Sequence, residues 1–167
     1  MKKIIFILTT AFPFLFSFVS CDLITDLQSA SSKLTFKSAV ISEKTGKSDT
    51  IVFTGKSIKW FNGSTGEVAF ADSMTTLKLD KYRRIKCCLD NDSMFSFTVT
   101  SDIMSSIVND LVLNHNLYDG KFYFEDGYPG WIDNLGATTL RAQNKEKRSA
   151  AWARFIAQLK LEGRYKE

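Results

Sequence analysis

The sequence predicts an α+β fold: an antiparallel meander sheet of about seven to nine short strands, free to curl, covered by one C-terminal helix. Three observations point there. From Lys33 onward the apolar residues recur mainly at every second position, as in half-buried strands. Clusters of Asn, Asp and Gly separate these runs where tight turns belong. Near the end the period changes, and Trp152, Phe155, Ile156 and Leu159 stand at i, i+3, i+4 and i+7.

Leu34, Phe36 and Val40 alternate with polar residues and open the first strand. Ile51 and Phe53 follow a turn at Lys44-Thr45-Gly46-Lys47. Ile58 and Trp60 precede Asn62-Gly63, and Val68 and Phe70 follow, which reads as a hairpin whose Asn-Gly pair supplies the positive φ of a tight turn. Trp60 and Phe61 are neighbours in that strand and face opposite ways. Leu77 and Leu79 suggest another short strand. A second hairpin runs from Tyr82 to Leu89, turns at Asp90-Asn91-Asp92 and returns through Phe95, Phe97 and Val99. Ser101 is placed to cap a short helix in which Ile103, Met104, Ile107, Val108 and Leu111 share a side. A third hairpin carries Leu111 to His115 out and Lys121 to Glu125 back, with Phe122 and Phe124 inward. The final helix is expected over 145–162, stopped by Gly163. Sequential hairpins favour pairing between chain neighbours.

The N-terminus has a different character. Lys2 and Lys3 precede an uncharged stretch from Ile4 to Val19, and Ser20 leads into Cys21. This layout resembles the lipoprotein signal peptides of bacteria, in which cleavage falls directly before a cysteine that receives a diacylglycerol. Val19, Ser20 and Cys21 fit that pattern, and Phe18 stands where it has Leu. The stretch is too short for a spanning helix, which needs ~20 apolar residues, and Pro13 interrupts it. The resemblance implies a signal peptide at 1–20 and a lipid, palmitate among its chains, on Cys21. Two or three acyl chains anchor stably where one does not. Asp22 resembles an inner-membrane retention signal in some bacteria, and an accompaniment of surface export in others. Residues 21–32, with Gln28-Ser29-Ala30-Ser31-Ser32, read as a flexible tether, the competing reading being a short helix from Asp22 to Gln28. Residues 33–167 then form one β-rich domain.

Composition narrows the function classes. The chain has 22 basic and 18 acidic residues. Loss of Lys2 and Lys3 with the signal lowers the net charge from +4 to +2, which gives no reason to expect a nucleic-acid partner. The basic cluster Lys145, Lys147 and Arg148 reads as a solvated helix face. Cys87 and Cys88 are adjacent, so a bridge between them is strained; one thiol is expected inside and one outside, free to pair between chains. With one histidine, His115, the chain shows no metal-ligand spacing, and no cofactor is expected.

The most unusual loop is Glu125-Asp126-Gly127-Tyr128-Pro129-Gly130-Trp131. As a binding lip it would use Tyr128 and Trp131 to stack on a sugar ring or peptide and Asp126 to accept hydrogen bonds. Its other reading is a packed corner whose aromatics plug the end of the sheet. The carboxylates from Glu125 to Asp133 are candidates for a hydrolase of glycan or peptide by composition alone. No nucleophile elbow, phosphate loop or two-histidine motif accompanies them, which weighs against an enzyme.

Asp49-Thr50-Ile51, Asp72-Ser73-Met74 and Asp92-Ser93-Met94 share a pattern of Asp, Ser or Thr, then an apolar residue. It resembles the acceptor sequence of an O-glycosylation system acting on exported proteins in one group of Gram-negative bacteria, making Thr50, Ser73 and Ser93 candidate acceptors. Ordinary turn chemistry gives the same pattern. The stretches Asn109 to Leu113, Lys121 to Pro129 and Ala151 to Ile156 are similar to short envelope lipoproteins of that group, which have no assigned activity. The resemblance implies a location, the outer membrane rather than the inner. The expected function is a lipid-anchored envelope protein whose domain binds an envelope protein or glycan; a structural or assembly component is the alternative beside the hydrolase.

Overall fold

The computed structural model describes residues 33–38, 50–73, 77, 79–132 and 136–167. The signal segment, Cys21, the tether, Val40, the turn at 44–47 and Asp133 lie outside the described residues.

Among the described residues there are nine strands and one long helix. They are β1 (Leu34–Ser38), β2 (Ile51–Thr54), β3 (Ile58–Asn62), β4 (Glu67–Phe70), β5 (Arg84–Leu89), β6 (Asp92–Ser101), β7 (Val112–Asn116), β8 (Lys121–Glu125), α1 (Ala137–Leu161) and β9 (Tyr165–Lys166). The strands form one curled sheet in the order β2-β1-β5-β6-β7-β8-β4-β3-β9. Register shifts in β1, β3 and β5 each insert an irregularity of the kind that bends a sheet.

The fold class holds, and the expectation of a purely antiparallel meander does not. The sheet is mixed: β6 runs parallel to β7, and β3 runs parallel to β9. The first exception comes from residues 102–111, where the expected helix is absent. The Asp102 carboxylate accepts from Asn114 Nδ2 and from the Leu117 N–H, and no helix forms for Ser101 to cap. The backbone of Val108 exchanges both hydrogen bonds with Tyr128 at 2.8 Å. Those local partners hold the segment extended as a crossover, and Ile103, Met104 and Ile107 are exposed.

Other local expectations also shift. Leu77 and Leu79 are helical, not a strand, and Leu79–Lys81 forms a 3-10 turn that buries Leu79 fully. The β3–β4 turn places its positive φ at Gly66 and not at Gly63. Asn62 Oδ1 accepts from the N–H groups of Ser64 and Thr65, which opens the turn beyond two residues. Cys87 and Cys88 are both buried and unbridged, because the irregularity in β5 falls between them. The expected outward thiol is therefore not available for pairing. Burial, and then the neighbouring Cys88, push the Cys87 thiol well above its usual range.

Helix α1 packs on one face of the sheet, and Phe155 is the centre of that contact. Its ring meets those of Phe36, Phe61, Phe95 and Phe124 edge-on, with centroids 5.6–6.5 Å apart. Such rings each contribute ~2–3 kcal/mol by burial, and edge-on pairs add ~1 kcal/mol. The helix begins at Ala137, ahead of the expected start near 145. Its early turns bury few apolar groups and are held by polar ones. Arg141 Nη2 donates to the Pro129 carbonyl at 3.1 Å, and Asn144 Nδ2 donates to the Asn109 carbonyl at 2.7 Å.

The helix ends as Gly163 indicates. Gly163 takes φ +65°, its N–H bonds the Lys160 carbonyl, and the Arg164 N–H bonds the Leu159 carbonyl. This Schellman turn sends the chain back onto β3, where the Arg164 and Lys166 carbonyls accept from the N–H groups of Phe61 and Gly63 at 2.8 Å.

Candidate functional site

A half-open cleft of about 590 Å³ lies between α1, the β3–β4 turn and the end of β8. Helical spacing places Lys145, Arg148, Trp152 and Ile156 on its helix wall. Phe61, Phe124 and Tyr165 form its apolar floor. The Trp152 ring rests edge-on against Phe61 and Phe124 at 5.8 and 5.5 Å, so its position is fixed while part of it stays accessible. The opposite wall is backbone, from Gly63 to Gly66. Glycine is required at Gly66, which holds φ +75°, while at Gly63 a side chain would displace the Tyr165 ring. A Cβ on Gly63 would overlap the Tyr165 hydroxyl, and one on Gly66 would lie 2.5 Å from the Phe124 carbonyl oxygen.

The rim is charged but balanced. Arg148 is nine-tenths buried and donates to Asp110 at 2.9 Å and to Asp126. Lys145 Nζ meets the other Asp126 oxygen at 2.8 Å. Two cations thus face two carboxylates, and the guanidinium ties α1 to the segments before β7 and after β8. Asp126 is committed to these pairs. That arrangement suits holding a wall in place more than abstracting a proton.

A second polar cluster occupies the sheet face turned away from α1. Asn114 Nδ2 donates to Asp102 at 3.2 Å and to Glu125 at 3.4 Å. Burial, and to a smaller degree the Asp102 charge, raise the Glu125 carboxyl above its usual range, against the lowering effect of the Asn114 bond. Tyr128 packs close enough to feel both carboxylates; burial first, then these charges, raise its phenol.

The residues of the expected binding lip are dispersed. Asp126 lines the cleft, Tyr128 is buried beside the outer cluster, and Trp131 is 83% exposed without lining the cleft. The Tyr128-Pro129 bond is cis. Glu125 and Asp126, adjacent in sequence, direct their carboxylates to different partners and do not pair across the cleft. His115 stacks on Phe122 at 4.6 Å and lines a separate groove of about 510 Å³ with Tyr82, Ile103 and Met104. Thr50, Ser73 and Ser93 are all exposed. Among the described residues no group of three or more His, Cys, Asp or Glu side chains is placed to hold a metal ion, and no helix is long and apolar enough to cross a membrane.

Sequence reasoning assigned Trp152 to the core stripe and Arg148 to a solvated face. The available signal was their spacing: a cation four residues before a tryptophan, on the side of the helix that faces the sheet. Compared with protein families, with curated proteins and with solved structures, the chain matches none.

Proposed function

We propose that this chain is a lipid-anchored protein of the cell envelope, held at the outer membrane by acyl chains on Cys21, and that its domain binds a neutral glycan or peptide segment in the cleft beside Trp152. The observation that carries the binding reading is the cleft itself. It offers about 590 Å³, an aromatic floor and a rim whose cations are already matched by carboxylates. Aromatic faces contribute apolar contact without demanding charge on the ligand. A charge-balanced rim gives an ionic ligand little net attraction and leaves hydrogen bonding to fix orientation. The anchor rests on the resemblance of residues 1–21 to lipoprotein signals. A domain fastened by acyl chains needs no membrane-binding surface of its own. Thr50, Ser73 and Ser93, all exposed, remain candidate O-glycosylation acceptors.

Two measurements test this reading. Mass spectrometry of the membrane-purified protein is expected to find an N-terminal Cys21 carrying diacylglycerol; a water-soluble product with an unmodified thiol overturns the anchor. Fluorescence titration with oligosaccharide and peptide fragments released from the envelope is expected to give saturable quenching that Trp152→Leu reduces at least tenfold in affinity. Binding that survives this substitution unchanged overturns the cleft.

A further inference from the structure

We infer that Thr100, Asp102, Asn114 and Glu125 form a site for one hard divalent cation of the Ca²⁺ class, on the sheet face opposite α1. Register brings the four together. Thr100 in β6 pairs with Asn114 in β7. Asp102 follows Thr100 by two positions, so it leaves the strand on the same face. Glu125 in β8 lies diagonally across from Asn114, near enough to share its amide.

Two observations distinguish this cluster from an ordinary acidic patch. First, Thr100 is 2% exposed and Asn114 is 5% exposed, yet Thr100 Oγ1 and Asn114 Oδ1 have no hydrogen-bond partner. A buried hydroxyl or amide oxygen left without a partner is costly, and such atoms in a native fold call for an occupant. Second, among the described residues neither Asp102 nor Glu125 has an ion pair, whereas Glu67, Asp110 and Asp126 each meet a lysine or arginine. The Asn114 amide lies between the two carboxylates, with the Tyr128 phenol near both. The amide spans the carboxylates with bonds of 3.2 and 3.4 Å, long for donation to a carboxylate.

The donor set decides the ligand class. All four side chains offer oxygen, the preference of Ca²⁺ and Mg²⁺ and not of thiolate- or imidazole-seeking metals. Rotating the Asn114 amide by half a turn brings Oδ1 to the place its NH₂ now holds between the carboxylates. Without a cation that orientation is repulsive; with one it adds a third ligand, and Thr100, the register partner of Asn114, would offer Oγ1 as a fourth. Water completes the shell. Asp102 Oδ2 keeps its bond to the Leu117 N–H, which fixes the carboxylate. Only two of the ligands carry charge, so the affinity belongs in the weak range of extracellular modules, ~10⁻⁴–10⁻³ M. Ca²⁺ suits this set better than Mg²⁺ because it accepts irregular geometry and a variable number of ligands.

The test is calorimetric titration of the full-length protein with CaCl₂, beside thermal unfolding in CaCl₂, MgCl₂ and NaCl at matched ionic strength. The expected result is one Ca²⁺ per chain and a saturable rise in Tm that NaCl does not reproduce. Asp102→Asn and the near-isosteric Thr100→Val are each expected to weaken Ca²⁺ at least fivefold, while Asp92→Asn on the exposed start of β6 leaves it unchanged. Absence of any Ca²⁺-specific heat or Tm shift overturns the site. So does wild-type affinity in the Thr100→Val protein, which would mean that the buried oxygens are simply hydrated.

Discussion

Arg148 lies nine-tenths buried in α1, and its guanidinium reaches two carboxylates carried by different segments of chain. Removing one partner of a fully buried pair costs ~3–5 kcal/mol. Asp110 and Asp126 are each about two-fifths exposed, so hydration offsets part of that loss and the connection belongs nearer ~1–3 kcal/mol. A more exposed pair gives a cleaner readout. The Tyr123 hydroxyl donates to Asp119 at 2.7 Å, which pushes the phenol up to about 12 and holds the Asp119 carboxyl below its usual range. The folded value of the phenol exceeds the unfolded one. Its contribution to stability is therefore complete below pH ~10 and is lost as pH rises toward 12. For Asp119 the sense is opposite: the contribution is present above the ordinary carboxyl range and is lost as acid protonates it. Asp119→Asn is expected to bring the Tyr123 phenol down toward its ordinary value. Absorbance at the phenolate band during alkaline titration checks this, and an unmoved titration would show that the bond does not form in solution.

At the scale of elements, α1 explains both what the sequence discloses and what it withholds. Trp152, Phe155 and Leu159 announce the helix because they bury apolar area at helical spacing. Arg141, Asn144 and Arg148 continue the same side, yet they are polar, and a hydropathy pattern reads them as solvent-facing. Their partners are two backbone carbonyls, the Asn109 side-chain amide and two carboxylates that only the tertiary fold brings near. The crossover at 102–111 fails for the converse reason. Ile103, Met104 and Ile107 have helical spacing but no surface to cover, and side-chain and backbone bonds from neighbouring strands take the segment. The end of α1 is legible because it depends on one residue type. Gly163 holds φ +65°, and no atom lies within 4 Å of where a Cβ would stand, so the cost of a side chain there is conformational alone. Gly163→Ala is expected to destabilise the domain by about 1–2 kcal/mol, read as a lower Tm with unchanged secondary structure. A larger loss, or none, would mean that the turn does more, or less, than the backbone indicates.

Across the whole molecule, β1 to β8 and the pairing within hairpins were legible; the helical turn at Leu77 and Leu79, the last strand β9 and the strand order were not. Local turns join β3 to β4, β5 to β6 and β7 to β8, and those pairings follow from residues a few positions apart. The order that sets β4 beside β8 and β1 beside β5 depends on how three hairpins close around one helix. Phe155 meets rings from β1, β3, β6 and β8 at once, and no pairwise period encodes that. The cleft was hidden for the same reason. Its floor and walls come from β3, β8, α1 and β9, while the most conspicuous loop in the sequence contributes only its first two residues, Glu125 and Asp126.

The parallel pairing of β9 with β3 has a consequence for how the domain is completed. Tyr165 and Lys166 can lie against β3 only after α1 has wound and its terminal turn has formed, so the sheet is sealed by residues made late. Until then the N–H groups of Phe61 and Gly63 form an unguarded margin, of the kind that recruits another copy. A chain cut after Gly163 is expected to self-associate through that margin, with light scattering giving a mass that climbs with concentration. If the shortened chain stays monomeric, the seal is dispensable.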